Sequence, residues 1–227
     1  MAFARATAEQ GEKVNIAELW RYPVKTMAGE RLQRATIGLL GIDGDRVLHV
    51  EDSRRHVVTS RSHPRFLGHK AAMSSTGAIS VDQRPWDSPE VTADIVDIAG
   101  AGATIVRFDG PERFDVLPLL VATDGAILAF GHDGRRLRPN IVIGDVEGLS
   151  ERDWPGACLR IGKVLIGVQD LRLRCIMTSF DPDTQVQDKS ITRDIYHRFE
   201  GKLALNCFVI EPGEVAVGDA VQLVRDT

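Results

Sequence analysis

The chain has 227 residues, 43% hydrophobic and 26% charged, with 28 Lys and Arg against 32 Asp and Glu for a formal net charge of −4. This balance excludes a disordered or coiled-coil chain and a general nucleic-acid binder, whose phosphate affinity needs accumulated positive charge. No run approaches the ~18 apolar residues of a membrane helix, the opening MAFARATAEQGEKVNIAEL lacks an apolar core of signal-peptide length, and a cytosolic protein with no membrane partner is expected.

Residues 1–12 are small and polar without periodicity and are read as a mobile tail. From Val14 short β-like runs follow: Ile16 to Tyr22, Leu32 to Ile37, Arg46 to Glu51, His56 to Thr59 and Gly77 to Val81, separated by Gly/Asp turns such as LLGIDGD and SSTG. Three segments here carry chemistry. Tyr22-Pro23-Val24-Lys25-Thr26 sets a lysine beside a hydroxyl where a proline stops the strand, a pairing that can hold an oxyanion or simply end in solvent. The GIDGDR turn delivers Arg46 to a strand start, and Thr59-Ser60-Arg61 places a guanidinium at a strand end. Cations on the loops of one small barrel can converge, because barrel rims gather sequence-distant loops. They can also stand apart.

The prolines of QRPWDSPE interrupt ladder pairing and IAGAGA is flexible, so one of the two is expected near a domain boundary. We divide the chain into units at 13–108 and 109–227. Beyond come the strand candidates VLPLLVA, PNIVIG, ACLRIGKVLIGVQDLRL, LNCFVIE and AVQLVR, with short helices at Asp124 to Gly131 and Ser190 to Phe199. The predicted fold is mainly β with closed or nearly closed sheets, which hide the edges that many short strands would expose.

Arg135-Arg136-Leu137-Arg138-Pro139-Asn140 leads into the apolar run IVI, where three arginines must face either solvent or an anion. Arg172-Leu173-Arg174-Cys175 ends the longest β run, and an adjacent guanidinium favours thiolate, the nucleophile and soft metal ligand. The three cysteines Cys158, Cys175 and Cys207 are odd in number and widely spaced, which fits neither a disulfide framework nor a CxxC zinc site. Cys158 and Cys207, flanked by apolar strand residues, read as core. The six histidines lack HExxH spacing, and GxGxxG, GxxxxGK[ST] and GxSxG are absent.

Taken in order, YPVKT, GIDGDR, TSR, RLRPNIVI, DWPGACLRIG, RCIMTSFDPDT and VAVGDAVQL resemble the MOSC family, which includes the C-terminal domain of molybdenum cofactor sulfurases and the amidoxime-reducing components; the likeness runs from about 14 to 224. The resemblance implies an N-terminal MOSC-type β-barrel packed on a MOSC β-barrel with a few short helices. It also implies a molybdenum cofactor of the molybdopterin form, with Cys175 as the thiolate ligand of the metal and the residue on which catalysis depends. Position by position it assigns Lys25, Thr26 (for the usual serine), Arg46, Arg61, Arg138, Asn140 and Arg174 to the cofactor's phosphate and pterin, with Thr123 at the head of TDGAI. The implied reaction is reduction of a small N-hydroxylated substrate by electrons from a separate ferredoxin, flavin reductase or cytochrome. A Cys175 persulfide carrying sulfur, or a cofactor carrier without turnover, are the alternatives. The chain departs from the family at TDGAI (for SEASL), at Ala204-Leu205-Asn206-Cys207 (for FGQY) and at Gln185 (for a glycine).

Overall fold

The structure, a computed structural model, describes residues 14–225; the tail predicted over 1–12 lies outside them. The largest feature is an eight-stranded mixed sheet in the order β17 (Gln222–Val224), β13 (Cys158–Ile161), β14 (Val164–Leu173), β15 (Lys202–Glu211), β11 (Leu119–Thr123), β12 (Ile141–Gly144), β1 (Asn15–Arg21) and β2 (Glu30–Leu32). Every residue of β12 is buried, as a strand flanked on both sides requires. β11 and β12 run parallel, so the chain must cross over between them, and it does so through α2 (Asp124–Phe130). β13 and β14 form a hairpin whose tight turn rests on Gly162 at φ 56°, a conformation suited to glycine. Backbone bonds from Ile16 N to Asp219 O and from Val221 N to Val14 O, each 2.9 Å, tie the approach to β17 onto the start of β1 and curl the sheet around its core.

Three smaller sheets complete the fold: β3 (Arg34–Gly38) with β4 (Gly41–Ile42) and β16 (Gly213–Ala216); β5 (Leu48–Glu51) with β6 (Val57–Val58) and β10 (Thr104–Arg107); and β7 (Ala71–Met73) with β8 (Ile79–Val81) and β9 (Arg84–Pro85). The chain is thus mainly β, as predicted. Apolar burial separates into a main core that includes Ile16, Leu19, Ile37, Val121, Ile141, Ile166 and Leu205, a second core that includes Val24, Met27, Leu48, Phe66, Ile79, Val91 and Ile95, and a smaller third cluster of Phe130, Leu137, Ile191, Ile195, Phe199 and Leu203. Strands β1 to β4 belong with the first, although Val24 and Met27 of the second fall between β1 and β2. The two cores are therefore interleaved along the chain.

Two expectations are corrected. The run Leu32 to Ile37 is not one strand: it breaks at Gln33, whose carbonyl accepts from Val217 N at 3.0 Å, and passes from the main sheet into the β3 sheet. The stretch read as proline-interrupted and then flexible holds a helix, α1 (Pro89–Ala99). Ser88 caps it by accepting from Val91 N, Pro89 occupies the first turn, and Val91 and Ile95, one turn apart, enter the second core. The two flanking segments are otherwise mostly exposed and reach that core through Trp86, Ile98, Ala99 and Ala103. The helices predicted at Asp124 and Ser190 are present as α2 and as α3 (Lys189–Phe199).

Candidate functional site

The site forms where loops of the second core meet the main sheet. After β1, Pro23 withholds a donor and the chain turns onto β5, with Lys25 N donating to Leu48 O at 2.7 Å. Thr26 then adopts φ 83°, a conformation that a β-branched residue enters only under constraint. The constraint is visible. Its hydroxyl donates to Ser60 Oγ at 2.5 Å and accepts from Ser60 N, pinning the YPVKT turn to the TSR segment. Asp45 is fully buried, accepts from Tyr22 N at 2.8 Å and pairs with Arg46, which itself sits at φ 55°.

On the opposite wall the 3₁₀ turn Gly134–Leu137 ends on Arg138 in the left-handed region, at φ 56°. The Arg138 guanidinium lies 4.3 Å from the centre of the Tyr22 ring and that of Arg46 lies 5.0 Å from it. Burial pushes the Tyr22 phenol up to about 12, and its hydroxyl donates to Pro139 O at 3.2 Å. The end of β14 supplies Arg172 and Arg174, and Cys175 opens a 3₁₀ turn over Ile176–Ser179, its carbonyl accepting from Thr178 N and Thr178 Oγ1.

These elements enclose a cleft of about 110 Å³ lined by Lys25, Arg46, Arg61, Arg138, Arg172 and Arg174, with the half-buried Cys175 among them. Asp115 is the acidic residue in that lining. A second cavity of about 370 Å³ backs onto the cleft, sharing Arg138 and Met177 and walled by Trp20, Tyr22, Leu67 and Phe180. Asp115 bridges Lys25 Nζ (2.8 Å), Arg61 Nη2 (2.6 Å) and Arg172 Nη2 (3.6 Å). Burial works against its charge, but the bonds and fields of Lys25, Arg61 and Arg172 hold its carboxyl below the usual carboxylate range. Arg61 is held above its ordinary value: burial opposes its charge, and Asp115 and then the Cys175 sulfur outweigh that.

Two guanidiniums are treated differently. Arg138 Nη2, Arg174 Nε and Arg174 Nη1 are buried without a hydrogen-bond partner, and burial pushes each of these arginines down to about 10. Arg174 keeps one bond, from Nη2 to Leu137 O at 2.8 Å. Buried N–H groups on a cation are paired almost without exception, because an unmet charged donor costs several kcal/mol. Donors of this kind beside a thiol are what an anionic ligand with a soft metal centre requires.

Of the nine sequence-predicted site residues, eight line the cleft: Lys25, Thr26, Arg46, Arg61, Arg138, Asn140, Arg174 and Cys175. Thr123 does not, which corrects its placement. It caps α2, accepting from Ala126 N at 3.1 Å and donating to the buried Glu151 at 3.2 Å. Asn140, 1% exposed, has its amide occupied by Trp20 O, Leu120 N and Arg46. With the Thr26–Ser60 pair, it holds the walls together. The prediction missed Asp115, Arg172 as a lining cation, and Asn206, which donates to Asp170 at 2.6 Å. The ALNC departure thus reaches the cleft through Asn206, whereas TDGAI is a helix start away from it. Gln185 holds φ 60° where the family has glycine and lies against Gly68.

The profile of the MOSC N-terminal beta barrel domain matches residues 13–113 and that of the MOSC domain residues 129–222. Human mitochondrial amidoxime-reducing component 1 is 24% identical over 285 aligned positions, covering 92% of this chain and 82% of that protein. Amidoxime reducing component 2 of Macaca fascicularis is 24% identical over 232, covering 77% and 69%. Among solved structures, the YuaD protein of Bacillus subtilis superposes with a TM-score of 0.53 at 13% identity, covering 95% of this chain and 98% of that one, a likeness of fold.

Proposed function

The chain belongs to the MOSC family, and from that premise we propose that it is a molybdenum-cofactor-dependent reductase of small N-hydroxylated compounds, amidoximes and hydroxylamines among them, supplied with electrons by a separate redox protein. One observation carries the reading: a thiol shares a cleft with six cations, two of which have buried donors without partners. The residues suit a pterin cofactor with a terminal phosphate. Cys175 would ligate the metal as thiolate, Arg138 and Arg174 would donate their unmet N–H groups to the anionic group, and Lys25, Arg46, Arg61 and Arg172 would offset its remaining charge. The cleft alone is smaller than the ~300 Å³ of common ligand pockets, so the cavity behind Arg138 is needed for the rest. The bound group supplies two-electron reduction of an N–O bond; the protein holds it, orients it and shields it from water. A persulfide carrier needs the thiol and one neighbouring cation and leaves the other five unexplained. The three cysteines, none in a disulfide, suit a reducing compartment such as the cytosol.

The test is metal analysis of protein produced with the cofactor available, followed by turnover of benzamidoxime with reduced viologen. Wild type is expected to hold close to one molybdenum per chain, and Cys175→Ser is expected to lose the metal and turnover together, while Cys158→Ser keeps both. Molybdenum retained at wild-type level by Cys175→Ser defeats the ligand assignment. Metal without turnover moves the protein to the carrier class.

A further inference from the structure

Asp115 stands where a ligand's charge would go. It lies on the bend between the 3₁₀ turn Pro111–Arg113 and β11. That bend is fastened at its base by the buried Arg113, whose Nε donates to Asp45 O at 3.1 Å and whose Nη2 donates to Leu40 O at 3.3 Å. Beyond the fastening the chain is open: the Asp115 side chain is 36% exposed and Val116 is 49% exposed. Its carboxylate nevertheless collects three cations from three different segments, Lys25, Arg61 and Arg172. Without an anion between them, those cations would repel one another at close range.

We infer that Asp115 is a built-in counter-anion which a ligand must displace to reach Lys25, Arg61 and Arg172, and that it thereby selects dianionic oxyanions such as a phosphate monoester over monoanions at those three cations. A tethered carboxylate acts at an effective concentration of order mM or higher, so a free monoanion that replaces it trades one charge for one and gains nothing. A phosphate brings nearly two charges and three acceptor oxygens to the same three cations. Loading then frees the bend at residues 114–118. The inference rests on the reading above only in taking the cleft as the place of an anionic group.

Calorimetric titration of the metal-free chain with inorganic phosphate and with acetate tests it at pH 8. Wild type is expected to bind phosphate weakly and acetate more weakly still. Asp115→Asn, which keeps the shape and removes the charge, is expected to bind phosphate at least about tenfold more tightly and to accept acetate. Phosphate affinity unchanged or weaker in the variant, binding by neither form, or acetate binding to wild type as tightly as phosphate, overturns the inference. If the variant does not fold, Asp115→Ser is titrated in its place: tighter phosphate binding than wild type is expected, and affinity unchanged or weaker overturns the inference. Neither titration involves molybdenum. A chain that passes here and fails metal analysis loses the reductase reading alone, and one that binds molybdenum while failing here loses only the counter-anion.

Discussion

Arg135 and Arg138 stand three positions apart in one short turn and live in opposite electrostatic conditions. Arg135 is exposed, bonded to Asp133 at 2.6 Å and to Asp183 at 2.6 Å, and these two partners, Asp183 foremost, raise its pKa. Arg138 has no carboxylate within 4 Å among the described residues, stacks on Tyr22, and is pushed down by burial. The first is an ordinary solvated ion network, worth little to stability. The second is a charge that the fold buries at a cost of several kcal/mol and does not recover by itself. Arginine density is the same for both. What separates a binding cation from a surface one is the partner it lacks.

Substitution by methionine, which keeps volume and removes charge, should separate the two arginines most widely. Arg138→Met and Arg174→Met are each expected to raise the metal-free chain's unfolding free energy by about 1 kcal/mol or more, because an unpaired buried charge is deleted. The gain is reduced at Arg138 by the lost ring contact. The same substitutions should lower molybdenum retention about 10- to 100-fold, the scale of a lost charge-assisted bond. Arg135→Met should do the reverse, costing under about 1 kcal/mol and leaving metal content alone. Urea denaturation and metal analysis read both. Loss of stability in Arg138→Met would make that guanidinium a structural group, and the contrast would collapse.

Much of this was legible in the chain itself, for reasons that differ by residue. Strands such as Ile141–Gly144 announce themselves because continuous apolar runs bounded by turns have few other fates. The helix at Pro89 was equally announced, by Ser88, Pro89 and the Val91 and Ile95 spacing, but prolines read as ladder breakers obscured their value at a helix start. Thr123 was misplaced for a similar reason: a threonine two residues before Gly125 and followed by an acid is first of all an N-cap. Asp115 could not have been read. A lone aspartate in FDVLP has no local signature, and its meaning comes from Lys25 and Arg172, 90 residues before and 57 after it, closing on the same point.

A last effect concerns a buried acid with an unmet oxygen, and it explains why arginine is the informative residue. Glu151 is fully buried; one carboxyl oxygen accepts from Thr123 Oγ1 and the other has no partner. Burial raises its pKa above the ordinary 4.5, against the opposing pull of its hydrogen bonds, from its own backbone and from Thr123, and of the Arg152 charge. An acid in this position can keep its proton and shed the charge, an escape that arginine does not have. Because the folded value is raised, the stability Glu151 contributes is complete below the ordinary value and is lost as pH climbs through the folded one. Glu151→Gln, neutral at every pH, should therefore match wild type in acid and exceed it by about 1 kcal/mol once pH has passed that window, in urea titrations repeated from pH 4 to 8. A difference that does not change with pH would mean that the Glu151 carboxyl titrates alike in the folded and unfolded chain, and that its burial sets no penalty on the charge.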